Sequence, residues 1–177
     1  MVIQFNKLEG TNLYDTLMEG HQAGFKVFRN LIQLDITALD VAEQYYHCKK
    51  HNVLVKEDSA NYNNRWFCPN LKTPTKRIGK IFNYIQQQYR TSQCDIYASW
   101  VRDGHSYGRH NDEMDVLILQ VWNEMAYTVE SPFGEKQHTA FTLSPGDALY
   151  IRNGTYHTPV ILGERMTMSF SWSPKKS

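Results

Sequence analysis

Cysteine is scarce: Cys48, Cys68 and Cys94 are the only three. They are odd in number and widely spaced, with no CxxC pair. That excludes a disulfide framework as the basis of the fold and suits a reduced, cytoplasmic setting. Long apolar runs are also missing. Nothing approaches the run of about eighteen residues that a membrane span needs, so no span is expected. The N-terminal MVIQFNKLEGTN has no basic segment followed by an apolar one and does not read as a secretory signal. Nor does one sign of charge dominate. Nineteen basic residues face eighteen acidic ones, for a formal net charge of +1. The strongly basic face of a nucleic-acid binder is not indicated, and nucleic acid is disfavoured as a partner. No internal repeat or low-complexity stretch is present. What the chain does have is aromatic residues, 13% of the total with eleven tyrosines, which favours strands around a large packed interior.

With 177 residues the expectation is one domain spanning 1–177. Within it, 1–92 reads as helical support with the first strands, and 93–172 as a β-core. Thr37 to Lys50 carries Leu39, Ala42, Tyr45 and Tyr46 at helical spacing, with Asp35 or Thr37 as N-cap. A second helix is predicted from Thr73-Pro74 through Ile78, Ile81, Phe82 and Ile85 to about Tyr89. Between them, Glu57 to Leu71 reads as an irregular, Asn-rich loop, in which Asn61 to Phe67 would serve as a lid or substrate wall if it is ordered. From Cys94 onward the spacing predicts strands near 94–102, 107–112, 115–122, 125–130, 138–143, 147–152, 156–161 and 165–172. Turn signals at Asp103-Gly104, Ser131 to Gly134, Pro145-Gly146, Asn153-Gly154 and Gly163-Glu164 separate them. Helices first and strands later give an α+β class: a sandwich or barrel with the helices on one face. The tail from Ser173 to Ser177 is polar.

Within Tyr107 to Asp112, His110 and Asp112 form a His-x-Asp pair. Two residues apart on a strand share a face, so both side chains can converge on one ion. His157 follows at the end of a segment punctuated by two tight-turn signals. Two imidazoles and one carboxylate match the facial set of non-haem Fe(II) oxygenases, which leaves coordination positions open for oxygen or substrate. Zn(II), which prefers a tetrahedral set of nitrogen and sulfur ligands, fits less well. The run Val116 to Val121 directly after the pair reads as a deeply buried anchor strand.

The last strand alternates. Met166, Met168, Phe170 and Trp172 form one face, which is expected to pack under the helices. Arg165, Thr167, Ser169 and Ser171 form the other. If that second face lines an interior, Arg165 offers a forked pair of donors and Thr167 a hydroxyl to an anionic co-substrate near the metal. The strands that carry His157 and Arg165 are expected to be antiparallel neighbours across the turn at Gly163.

Two segments resemble the Fe(II)/2-oxoglutarate-dependent dioxygenase superfamily. His110 to Val121 looks like the metal-binding strand pair of its JmjC-type ribosomal oxygenases. Gly104 to Asp112, and His157 to Val160 with Gly163 to Thr167, look more like its prolyl-hydroxylase type. The resemblance covers roughly 95–172. It implies a double-stranded β-helix core (jelly-roll, or cupin), with Fe(II) held by His110, Asp112 and His157. It further implies that Arg165 and Thr167 bind the far carboxylate of 2-oxoglutarate and that Tyr107 contacts the co-substrate. Oxygen would convert 2-oxoglutarate to succinate and carbon dioxide while a substrate is hydroxylated. One position departs from the JmjC-type pattern. The basic residue expected fifteen positions after His110 is Met125 here. Arg165 would then supply the grip and Met125 an apolar wall. The spacing from His110 to His157 is also short for the superfamily, which calls for compact loops.

Two other classes share these residues. One is a metal-dependent cupin dioxygenase or isomerase without 2-oxoglutarate, in which Arg165 would hold the substrate's own acid group. The other is a non-catalytic cupin-like binding module. The substrate has no motif of its own. Among the other polar residues, His21, His47, His51, His105 and His138 read as non-ligating, Arg109 as facing substrate or solvent, and Trp100 and Cys94 as core.

Overall fold

A computed structural model describes residues 4–5, 20, 22–51, 55–58, 65–101, 106–130 and 138–172, with only the backbone at 4–5 and 56–58. The turns at Gly104 and at Ser131 to Gly134, the segment Asn61 to Asn64, His21, His105 and the tail from Ser173 lie outside the described residues.

The chain forms strands β1 (Gln4–Phe5), β2 (Phe25–Phe28) and β3 (Ile32–Gln33), helix α1 (Ala38–Lys50), strands β4 (Lys56–Asp58) and β5 (Arg65–Cys68), and helix α2 (Lys76–Tyr89). There follow β6 (Gln93–Ser99), β7 (Val116–Trp122), β8 (Met125–Glu130), β9 (His138–Leu143), β10 (Ala148–Ile151), β11 (His157–Ile161) and β12 (Arg165–Ser171). All pairings are antiparallel. A seven-stranded sheet runs β2-β10-β7-β12-β6-β5-β4 and a three-stranded sheet runs β11-β8-β9, while β1 pairs with β3. No helix of the described residues is long and apolar enough to cross a membrane.

The period-two alternation of side chains on a strand divides the interior into two cores. On one face of the large sheet, Cys94 and Ile96, Leu117 and Leu119, and Met166, Met168 and Phe170 pack against Ile78, Ile81 and Ile85 of α2 and Val41 of α1. On its other face, Val116, Ile118, Leu149 and Ile151 meet Met125, Tyr127 and Val129 of β8 and Leu143 of β9. The order is therefore helices, large sheet, small sheet. β7 is buried from Val116 to Val121 because both of its faces are covered.

Both helices form where the spacing predicts. Thr37 caps α1, and its backbone N–H donates to Asp40 Oδ2 at 2.8 Å in a capping box. The apolar spacing misidentifies the buried face of α1, however. Leu39 and Tyr46 are exposed, whereas Asp40, Val41, Gln44 and Cys48 are buried. Hydrogen bonds make this tolerable: Gln44 accepts from the Thr75 N–H at 2.7 Å, and Asp40 accepts from Arg77 at 2.7 Å. The same Gln44 bond serves the start of α2, which begins at Lys76 with Thr75 as N-cap rather than at Thr73-Pro74. Glu57 to Leu71 is not a loop throughout: β4 and β5 extend the large sheet beyond β6.

The turn at Pro145-Gly146 is tied to the far end of the chain. Gly146 has φ +93°, and a Cβ there would lie 1.9 Å from the Ile32 carbonyl oxygen, so only glycine fits. The next residue, Asp147, is buried and accepts hydrogen bonds from Arg29 at 2.6 Å, from the Asn30 N–H at 2.8 Å and from the Ser144 N–H at 3.1 Å. Asp147→Ala strands two backbone donors and should cost about 2–4 kcal/mol in urea unfolding. A loss below about 0.5 kcal/mol would show that this clamp is not needed.

Candidate metal centre

His110, Asp112 and His157 come together at one point. Their ligand atoms all lie within 4.8 Å of one another. The expected reason is only half right. Residues 107–112 do not form a strand; His110 instead makes an isolated antiparallel bridge with His157. The His110 N–H donates to the His157 carbonyl at 3.0 Å, and the His157 N–H donates back at 2.8 Å. Gly154 N–H then donates to the Asp112 carbonyl at 2.8 Å. The tight turn before His157 thus holds Asp112 by its backbone, and Gly154 makes that turn at φ +76°.

Both imidazoles are oriented in the same way. His110 Nδ1 lies 2.9 Å from the Gly108 carbonyl, and His157 Nδ1 lies 3.2 Å from the Thr155 carbonyl. A carbonyl can only accept, so each Nδ1 carries the proton and each Nε2 keeps its lone pair for the centre. His157 Nε2 is 3.7 Å from Asp112 Oδ2, and the His110 and His157 rings meet at a tilt of 58° with centroids 4.2 Å apart. Burial is the main cause that lowers the His157 pKa, and neighbouring His110 adds to it. The imidazole therefore stays neutral, which is the form that ligates a metal. Preformed nitrogen lone pairs converging with a carboxylate fit a divalent ion with open positions.

The triad opens into a cavity of about 300 Å³ between the two sheets. Its outer wall is aromatic. Phe67 stacks on Tyr97 at 4.7 Å, Tyr97 meets Tyr107 edge-on at 5.7 Å, and Tyr107 meets His110 at 6.3 Å. Its inner part holds Met125 and Tyr127 of β8 and Ile118, Arg165, Thr167 and Ser169 of the large sheet.

Arg165 is 6% exposed, and its Nε and Nη1 have no hydrogen-bond partner. Burial is also the main cause that lowers its pKa. A buried guanidinium with idle donors facing a cavity is costly, and the cost falls away when an anion fills it. Arg165 reaches the cavity by an unexpected route. β11 and β12 are not neighbours; β11 pairs with β8, and β12 pairs with β6 and β7. The turn at Gly163 carries the chain from one sheet to the other, which sets His157 and Arg165 on facing walls of the cavity. Thr167 lines the same wall and donates its hydroxyl to Gln120 Oε1 at 2.8 Å. That pairing follows from an irregularity in the β7–β12 register, which sets Thr167 opposite Gln120. Tyr107 sits at the mouth, 64% exposed.

Other residues settle as follows. Arg109 is paired with Glu130 and lies 3.7 Å over the Tyr156 ring, outside the cavity. His138 is exposed, Trp100 packs against Trp122 at the core margin, and Cys94 is buried. His47 and His51 contact each other at a tilt of 46° and are not part of the centre. Arg65 and Phe67, from the segment expected to serve as a lid or substrate wall, line the cavity, and so does Tyr127, which the sequence does not single out. Strand parity from Met125 would have found Tyr127, whose burial pushes its phenol up to about 12.

Neither a protein-family model nor the sequence of a curated protein matches the chain. Solved structures do. A structure of YcfD, a ribosomal oxygenase from Escherichia coli, superposes with TM-score 0.69 at 19% identity over 99% of this chain. A Pseudomonas putida prolyl-4-hydroxylase superposes with TM-score 0.62 at 9% identity, covering 92% of this chain and 99% of that one. The chain shares their fold. It is a largely antiparallel sandwich with helices on one face. The chain spans about half of YcfD, 54% of its length. Another YcfD structure, with TM-score 0.62 and 18% identity over 99% of this chain, holds cobalt and 2-oxoglutarate. A Burkholderia pseudomallei oxidoreductase of the 2OG-Fe(II) oxygenase family superposes with TM-score 0.57 at 10% identity, over 97% of this chain and 94% of that one.

Proposed function

We propose that this chain is an Fe(II)- and 2-oxoglutarate-dependent oxygenase that hydroxylates a protein side chain or a small molecule. One observation carries the reading. A His-Asp-His set and a buried arginine with two idle nitrogens face each other across a single cavity. The metal set alone would suit many enzymes, and the arginine alone many anion sites. Together they match a ligand that chelates at one end and carries a carboxylate at the other. The chain also shares a fold with structures of this chemistry.

In this reading His110, Asp112 and His157 hold Fe(II) through Nε2, a carboxylate oxygen and Nε2. When bound, Fe(II) and 2-oxoglutarate together supply oxygen activation, with succinate and carbon dioxide released and one oxygen atom passed to the substrate. The residues of the chain do the rest. Arg165 anchors the far carboxylate through its idle donors, and the Tyr127 phenol, kept protonated by burial, can donate beside it. Thr167 joins them by exchanging its bond to Gln120 for one to the carboxylate. Met125 and Ile118 keep water from the co-substrate's methylenes, and Tyr107, at the mouth, contacts the co-substrate and orients what enters. The two sheets are then the halves of a double-stranded β-helix that closes as a barrel. Residues 1–177 form one domain, since both cores share the large sheet. Three buried, unpaired cysteines support a cytoplasmic setting.

Anaerobic titration with Fe(II) and 2-oxoglutarate tests this. A visible charge-transfer band is expected on the wild type and not on His110→Ala, and succinate should form in step with turnover. Metal uptake without the band and without succinate would favour the cupin reading that uses no 2-oxoglutarate. No metal uptake by well-folded protein would favour a binding module.

A further inference from the structure

Arg65 shares the cavity with Arg165 and stands level with it. Arg165 pairs with Ser99 across β12 and β6, and Ser99 pairs with Arg65 across β6 and β5. Residues level with one another on adjacent antiparallel strands project to the same face. Two guanidinium side chains therefore flank one serine. That serine is short, and its hydroxyl turns onto its own backbone, donating to the Val101 carbonyl at 3.0 Å. Two strand spacings put the arginine Cα atoms roughly 10 Å apart. Both side chains line the same cavity, and a carboxylate accepts from two guanidinium groups at once. The Arg65 charge acts on Arg165 across this gap, adding to burial in lowering the Arg165 pKa. Met125 offers no charge from the facing sheet.

We propose that Arg65 is a second binding residue for the far carboxylate of 2-oxoglutarate, closing on it from the side opposite Arg165. The inference rests on the oxygenase reading above. The two arginines divide the task by depth. Arg165 is buried and fixes the acid, whereas Arg65 is half-buried and attracts it from solvent, so its share is sensitive to salt.

Calorimetry of the full chain loaded with Mn(II) tests this, with 2-oxoglutarate compared against 2-oxovalerate, which keeps the chelating end and lacks the far carboxylate. Arg65→Gln should weaken 2-oxoglutarate by about tenfold at low salt and by less at high salt. The same change should leave 2-oxovalerate unchanged, and Arg65→Lys should recover most of the loss. Unchanged 2-oxoglutarate affinity in Arg65→Gln overturns the proposal. An equal loss for both acids also overturns it, because the residue would then be shaping the strand rather than reading the acid. Wild-type protein that binds Mn(II) but neither acid refutes the oxygenase reading itself, and the Arg65 assignment falls with it.

Discussion

His157→Ala should yield a folded protein that no longer takes up metal. The imidazole is 2% exposed and supplies one of the three converging ligand atoms. Its backbone, not its side chain, carries the bridge to His110, so the local fold survives the truncation. Removing one of three ligands should weaken Mn(II) binding by more than about 100-fold, beyond the 10–100-fold typical of merely supporting groups. Thermal melts give a direct measure. At a metal concentration about 100 times Kd, the wild type should gain about 2.7 kcal/mol, or roughly 5–10 °C. The variant should gain nothing at the same concentration and should lose all turnover. A His157→Ala protein that melts like the wild type both with and without Mn(II) would remove the metal centre from consideration.

Arg165→Met is expected to move stability and binding in opposite directions. The Arg165 Nε and Nη1 are buried without partners, so in the ligand-free protein the guanidinium carries a desolvation cost that nothing offsets. Methionine keeps much of the aliphatic stem and removes the charge. The ligand-free variant should therefore be more stable by about 1–3 kcal/mol, which in a chain of this size raises the melting temperature by several degrees. The same change should weaken 2-oxoglutarate by about 100-fold, since charge-assisted bonds to a buried carboxylate are worth roughly 1.5–3 kcal/mol each. Metal affinity should be spared. A destabilised variant with unchanged 2-oxoglutarate affinity would mean that Arg165 is a structural residue whose partners lie elsewhere.

Much of this arrangement was legible in the sequence. From Gln93 onward, successive strand residues alternate between the two faces of a sheet, and period-two spacing reports that directly. The triad was readable because its ligand types are rare in combination. The route by which it assembles was not. His110 is held by a two-residue bridge rather than a strand, and the reversal between His157 and Arg165 crosses sheets. Sequence spacing cannot distinguish a hairpin from a crossover of equal length. The α1 face was misread for a different reason. Gln44 and Asp40 are buried because distant partners satisfy them, which hydropathy cannot show. Arg65 lies in the segment expected to wall the cavity, but the Asn-rich residues before it concealed the four-residue strand that aligns it with Arg165.

The cavity takes its two chemical ends from opposite sheets, His157 of β11 from the small one and Arg165 of β12 from the large one. The packing of Ile118 against Met125 and Tyr127 sets the separation of the sheets. In the proposed oxygenase reading, the hydrophobic core is therefore a calliper for diacid length. Volume changes at Ile118 or Met125 should then shift preference among four-, five- and six-carbon 2-oxo diacids, and co-substrate choice becomes a property of side-chain volume.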